Sequence, residues 1–85
     1  MMERPDPRLR SNQPHVRNPV LSLPSAARLQ TLSPVARAEL RQLLLDLRAD
    51  AQVRADECWR RHKAPMAAYW KVVSVYAGHV ARVLR

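Results

Sequence analysis

Two dipeptides, Ser33-Pro34 and Ala64-Pro65, constrain the fold of this chain more than any other feature. The Ser33 hydroxyl can accept a hydrogen bond from a free amide in the first turn of a helix, and Pro34 suits the first helical position because no N–H is needed there. Ala64-Pro65 disfavours helical geometry at residue 64, so a helix that arrives there ends or bends. The sequence therefore predicts one long helix over residues 34–63.

Apolar residues recur between these two dipeptides at spacings of three and four, which is typical of one stripe of an amphipathic helix. The predicted stripe consists of Leu40, Leu43 or Leu44, Leu47, Ala51, Ala55, Cys58 or Trp59, and His62. The other side carries acid-first pairs four residues apart, such as Asp50 with Arg54, and each pair stabilises an exposed helix by about 0.2–0.5 kcal/mol. We expect the stripe to form the core and the charged side to face solvent.

A second helix is predicted over residues 65–85, and Pro65 suits its first turn. Its apolar stripe is Met66, Tyr69, Trp70, Val73, Tyr76 or Ala77, Val80 and Leu84, and a narrow polar stripe of Lys71, Ser74, Gly78, Arg82 and Arg85 lies opposite. The alternative is a pair of strands around Gly78-His79, since β-branched residues favour sheets. Strict alternation fails at Val72-Val73, which favours the helix.

The N-terminal residues 1–19 hold four prolines, four arginines and few aliphatic side chains. Such a segment buries too little apolar surface to offset its ordering entropy, so we expect a flexible basic tail, either solvated or ordered on an anionic surface. Apolar density rises from residue 20, and Ser22 with Pro24 predicts a short helix near 23–30 lying across the two longer helices. Residues 20–85 should form a single small helical domain.

The predicted fold class is therefore all-α, a helical hairpin with a short extra helix. The last helix is apolar over more than half of its circumference, and one neighbouring helix cannot cover that much surface. Soluble monomers usually avoid large exposed apolar patches. We expect a homo-oligomer, and a dimer that completes a four-helix bundle is the simplest closed arrangement.

Enzymatic chemistry has no support in the sequence. A chain with one glycine cannot build a glycine-rich phosphate loop, and no serine, histidine and acid arrangement suggests a catalytic triad. Cys58 and His62 are half of a metal site at most, since structural zinc takes four ligands. We expect no enzyme activity, no cofactor and no metal.

The single cysteine and the absence of an apolar leader predict a cytoplasmic protein. No apolar run is long enough to span a bilayer, so membrane association is not expected. A minor alternative treats residues 65–85 as an amphipathic helix on an anionic membrane.

The net charge of +8 favours an acidic macromolecular partner, such as DNA or RNA, an anionic lipid surface or an acidic protein face. The predicted partner-binding residues lie at the bend and on the second helix: Arg60, Arg61, His62, Lys63, Lys71, Tyr69, Trp70 and Arg82. Cations mixed with aromatic rings suit phosphate contacts with base stacking, or a protein hot spot. The alternative is structural, because the helix dipole favours cations at a C-terminus and aromatic rings fill the end of a hairpin.

The bend and the residues after it, Lys63-Ala64-Pro65-Met66-Ala67-Ala68-Tyr69-Trp70-Lys71 and then Tyr76-Ala77-Gly78-His79, resemble short uncharacterised reading frames of bacterial prophages and other mobile elements. The likeness covers about the last third of the chain. It implies an accessory protein that binds host machinery, a class that includes small inhibitors of nucleic-acid-guided defence complexes. The main hypothesis is an accessory or inhibitory factor of this kind, and the alternative is a sequence-nonspecific DNA- or RNA-binding protein that uses the bend.

Overall fold

The computed structural model describes residues 17–85, which form one 3₁₀ helix and three α-helices. The 3₁₀ helix η1 spans Pro19–Ser22, α1 spans Pro24–Leu29, α2 spans Pro34–Arg60 and α3 spans Ala64–Val83. Helices α2 and α3 fold back on each other and pack along their lengths. The predicted all-α helical hairpin is confirmed. Residues 17–85 contain no strand, so the alternative of two strands around Gly78-His79 is wrong.

The start of α2 matches the prediction in detail. The Ser33 side chain accepts a hydrogen bond of 3.1 Å from the backbone amide of Ala36, and Pro34 is the first helical residue. A capping hydroxyl of this kind stabilises a helix by about 1 kcal/mol relative to alanine. The end of the helix differs from the prediction, since α2 stops at Arg60 and residues 61–63 form the turn into α3.

Small side chains form the contact between α2 and α3. Ala51 is completely buried, with 0% of its surface exposed, and Ala55 on α2 is also buried. The buried residues of α3 that join them include three alanines and a serine: Ala67, Ser74, Ala77 and Ala81. Because none of these side chains extends far from its backbone, the two helices can approach each other closely.

The residues buried at this contact differ in part from the predicted core. On α3, Ser74 was assigned to the outward polar stripe but is buried, whereas Met66 and Tyr69 were assigned to the core and are about half exposed. Of the alternatives Tyr76 and Ala77, Ala77 is the buried one, and Leu84 is buried as predicted. On α2, Ala51 and Ala55 are buried as predicted, but Leu40 and Leu47 are exposed, and of the alternatives Leu43 and Leu44 only Leu44 is half-buried. The physical reason is that small residues allow closer helix packing than leucine does, and long arginine stems on α2 fill the remaining space.

The segment before α2 packs on the C-terminal half of α3. Asn18 is only 3% exposed, and its side-chain amide donates a 2.9 Å hydrogen bond to the carbonyl of His79 while its oxygen accepts from the Val20 amide at 3.1 Å. Val83 on the same half of α3 is 1% exposed. The packed region therefore includes Asn18, two residues before the predicted boundary at residue 20. The rest of the predicted tail, residues 1–16, lies outside the described residues.

The main contact of this segment runs through η1 to α3, and α1 packs on η1. The prediction that the short helix lies across both long helices is therefore wrong. Helix η1 contacts α3, but four large apolar or aromatic side chains on one face of α3 remain about half exposed. We call these residues, Met66, Tyr69, Val72 and Tyr76, the outer surface of α3.

Candidate functional site

The last residue of α2 and the turn into α3 contain the predicted basic cluster, Arg60, Arg61, His62 and Lys63, which we call the basic elbow. His62 has a φ of 60°, in the left-handed region. Its amide donates to the carbonyl of Trp59 at 3.1 Å, and the Lys63 amide donates to the carbonyl of Cys58 at 2.8 Å. These two bonds form a Schellman motif, in which glycine usually occupies the position of His62.

All four residues of the basic elbow are exposed. One of the cations is already engaged, because an Arg61 guanidinium nitrogen lies 3.2 Å from a Glu57 carboxylate oxygen on the preceding turn. The carbonyl end of α2 also favours cations in this position. The elbow is thus accessible to a partner, and part of its composition is explained by the way the helix ends.

The aromatic residues beside the elbow lie on one side of the hairpin. The Tyr69 and Trp70 rings meet edge to face with centroids 5.1 Å apart, and the Arg54 guanidinium lies 5.1 Å from the centre of the Trp70 ring. Asp50 accepts a 2.8 Å hydrogen bond from Arg54, and this bond and the charge of Asp50 raise the pKa of Arg54. Trp70 is half-buried under a cation of its own chain, whereas Tyr69 is exposed.

The structure separates Arg82 from the other predicted site residues. Arg82 lies near the C-terminal end of α3, 19 residues beyond Lys63, which corresponds to about 28 Å along a helix. The residues predicted at the bend and on the second helix therefore lie in two places. Arg60, Arg61, His62, Lys63, Tyr69 and Trp70 surround the elbow, whereas Arg82 lines a groove at the opposite end of the hairpin.

This second place, which we call the arginine groove, lies between α2 and α3 and has a volume of about 450 Å³. Arg41 and Arg48 approach it from α2, and Arg82 and Arg85 from the C-terminal end of the chain. Among residues 17–85 no acidic side chain lines it. Arg41 is half-buried, and its Nε has no hydrogen-bond partner among the described residues. The groove therefore concentrates positive charge between the helices.

The groove continues along the same side of the hairpin toward the elbow. Two further depressions follow it, the first lined by Gln52, Ser74 and Lys71 and the second by Lys71 and Trp59. Asp56 lines both of them. Lys71, a predicted site residue, thus belongs to this groove system, and Trp59 stands at its elbow end with 68% of its surface exposed.

Sequence reasoning missed the arginine groove because its cations are far apart along the chain. A usable signal was nevertheless present: Arg41 and Arg48 are seven residues apart and lie on one face of α2, and Arg82 and Arg85 are three apart at the end of the predicted second helix. The two pairs meet only when the register of the hairpin is known.

The remaining chemical groups do not assemble into a site. Cys58 is a free thiol that is half-buried in α2. Within the part of the chain that the structure describes, no three histidine, cysteine or carboxylate side chains come together as metal ligands. The same residues include no helix with the length and hydropathy to cross a membrane.

The left-handed conformation of His62 leads to a prediction about stability. A non-glycine residue in this region costs about 1–2 kcal/mol, so His62→Gly should raise the free energy of unfolding, with a net gain of about 0.5–1 kcal/mol after the extra chain entropy of glycine. Urea unfolding followed by circular dichroism measures this change. His62→Ala keeps the strain and serves as the control. A loss of stability in His62→Gly would show that the imidazole itself makes a stabilising contact.

Comparison with models of known protein families, with curated proteins and with solved structures found no match to this chain.

Proposed function

We propose that this chain is a small, non-enzymatic helical interaction protein that docks on another protein or nucleoprotein complex. The observation that carries the proposal is the outer surface of α3, where Met66, Tyr69, Val72 and Tyr76 leave about half of their surface exposed on one helix. Aromatic residues and methionine are enriched at protein interfaces. An accessory or inhibitory factor of mobile-element origin, acting on host machinery, is the class that we favour.

The small core of the hairpin supports this interpretation. Within residues 17–85 the buried apolar side chains are mostly alanines, and the larger ones among them are Val83 and Leu84, which are 1% and 3% exposed. Small domains have little apolar burial to spare, and many gain stability from association. Covering the outer surface of α3, either with a second copy or with a host protein, would add the burial that the hairpin lacks.

The positive charge of the chain favours acidic proteins as partners. The chain carries a net charge of +8, and the basic elbow is exposed beside the outer surface of α3. An acidic partner would be attracted to this end of the molecule, and the attraction would speed the encounter more than it tightens the final complex. We propose that the apolar residues supply most of the affinity and that Arg60, Arg61 and Lys63 orient the partner.

The proposal is tested with two pairs of substitutions that change the net charge equally. Val72→Glu with Tyr76→Glu alters the outer surface of α3, whereas Val35→Glu with Val53→Glu alters α2 at positions that are 74% and 62% exposed. We expect the α3 pair to weaken self-association, or retention of acidic host proteins by the tagged chain, by about tenfold or more, because charge is excluded from interface cores. Light scattering and quantitative affinity capture provide the two readouts.

The control pair should leave both readouts within about twofold of the unmodified chain, since isolated exposed apolar residues contribute little. Circular dichroism confirms that both variants keep their helices. The proposal fails if the unmodified chain is monomeric and captures no host protein whose retention the α3 pair reduces. It also fails if the α3 pair and the control pair have equal effects.

A second candidate function is sequence-nonspecific binding of DNA or RNA. It is favoured by the concentration of cations at the basic elbow and in the arginine groove. Binding of this kind weakens steeply with salt because counterions are released from the phosphates. A salt titration with labelled DNA tests it, and an affinity that does not change with salt, or no binding at about 50 mM salt, would exclude it.

A further inference from the structure

We propose that the arginine groove and Trp59 form one binding site for single-stranded nucleic acid, with the sugar–phosphate backbone on the arginines and a base stacked on Trp59. This inference rests on the second candidate function and assigns its site to the groove instead of the basic elbow. It does not depend on the outer surface of α3.

The first argument is the chemistry of the groove. Arg41, Arg48, Arg82 and Arg85 converge there from two helices, and the two ion pairs formed among residues 17–85 use other arginines, Arg54 and Arg61. A guanidinium presents a planar fork of donors that matches phosphate oxygens in a bidentate arrangement. Four such forks around one groove supply several phosphate contacts along a strand.

The second argument is the position of Arg48, which packs where the only glycine in the chain leaves space. A Cβ added to Gly78 would lie 3.4 Å from Cδ of Arg48 and 3.5 Å from its Nε, so glycine leaves room for the arginine stem beside α3. The stem thus reaches across to α3, and the guanidinium lies at the groove.

The third argument is the shape of the site. Together with the two depressions that continue it, the arginine groove follows 18 residues of α2, from Arg41 to Trp59. This corresponds to about 27 Å and accommodates several nucleotides. Lys71 lies between the two ends and faces Asp56, the one acidic side chain that the described residues contribute to this path. A positive groove that leads to an exposed aromatic ring is the usual arrangement of a single-strand site.

Trp59 distinguishes this ligand from the alternatives. Its ring is 68% exposed at the end of the groove, where an unpaired base can stack on it. A duplex keeps its bases stacked inside, and an acidic peptide of aspartate and glutamate has no flat ring to offer. Stacking on one aromatic side chain contributes about 1–3 kcal/mol per base.

Two variants with equal loss of charge test the location. Arg48→Gln with Arg82→Gln and Arg85→Gln removes three cations from the groove, and Arg60→Gln with Arg61→Gln and Lys63→Gln removes three from the elbow. Fluorescence anisotropy with a labelled twelve-nucleotide oligothymidine measures the affinity of the full chain across a salt series. The groove variant should bind about tenfold or more weakly, with a salt slope smaller by about 2, because three phosphate contacts are lost at about 0.7 each. The elbow variant should stay within about threefold.

The stacking contact is tested at Trp59. Trp59→Leu should weaken oligothymidine binding by about tenfold, and Trp59→Phe should recover most of the loss, because phenylalanine retains an aromatic face. Binding of poly-glutamate provides the comparison with an acidic peptide and should not depend on this residue. Circular dichroism confirms that each variant remains folded.

The possible results distinguish a failure of nucleic-acid binding itself from a failure of the proposed site. If the unmodified chain binds neither oligothymidine nor duplex DNA at low salt, both the second candidate function and this site are overturned, and if it binds duplex DNA alone, only this site is overturned. If the chain binds but the elbow variant loses as much as the groove variant, or poly-glutamate binds as tightly and Trp59→Leu has no effect, the site alone is overturned.

Discussion

Replacing Ala51 by leucine is expected to lower the free energy of unfolding by about 1–3 kcal/mol, because extra methylenes in a closely packed contact force the surrounding backbone or rotamers to move. Ala51 has no exposed surface and lies in the middle of α2, where the helix packs on the small residues of α3. A leucine there would separate the two helices or turn α2 away from its present face. Urea unfolding monitored by circular dichroism measures the effect.

Ala49 provides the matched control for this substitution. It lies two residues away on the same helix but is exposed, so Ala49→Leu adds the same atoms without entering the contact. Exposed substitutions of this kind usually change stability by less than about 0.5 kcal/mol. Equal effects of the two changes would mean that α2 and α3 do not pack through their small residues.

The limits of the helices were predictable because local residues determine them. Ser33 and Pro34 act within the first turn of α2, and Ala64-Pro65 acts at the bend, without any help from distant parts of the chain. The error at the end of α2 has an equally local cause. Ending at Arg60 requires a left-handed residue at position 62, and the chain places histidine where glycine would have signalled the stop.

The faces of the helices were harder to predict. Helix α3 is apolar around most of its circumference, so hydrophobic periodicity does not select a single buried stripe. Side-chain size determines which face of α3 packs on α2, because Ser74 and the alanines allow a close approach that Tyr69 and Tyr76 would prevent. The sequence pattern ranks residues by hydropathy, and hydropathy alone assigned the large side chains to the core.

The two candidate sites also differ in how far the sequence predicts them. The basic elbow was predictable because its four residues are consecutive, and the structure leaves all of them exposed. The arginine groove depends on the register of the hairpin, which brings Arg48 beside Gly78 across a gap of 30 residues. The residue at which α2 ends determines the register of α2 against α3. An error of three residues there shifts every predicted contact between the helices by nearly one turn.

Asn18→Ala is the second substitution for which we expect a large effect, a loss of about 1–3 kcal/mol in the free energy of unfolding. The Asn18 side chain is buried and satisfies two backbone groups, donating to the His79 carbonyl at 2.9 Å and accepting from the Val20 amide at 3.1 Å. Alanine would leave both groups without these partners in a site that excludes most water. The segment that covers the C-terminal half of α3 would then loosen first.

The location of this effect distinguishes it from general destabilisation. Hydrogen exchange should increase in η1 and in the last turns of α3 around Val83, while the amides near Ala51 keep their protection. Ser22→Ala is the control, because the Ser22 hydroxyl donates to the Pro19 carbonyl at 2.9 Å but is exposed, so its loss should matter little. Unchanged exchange around Val83 in Asn18→Ala would show that apolar packing alone holds the N-terminal segment against α3.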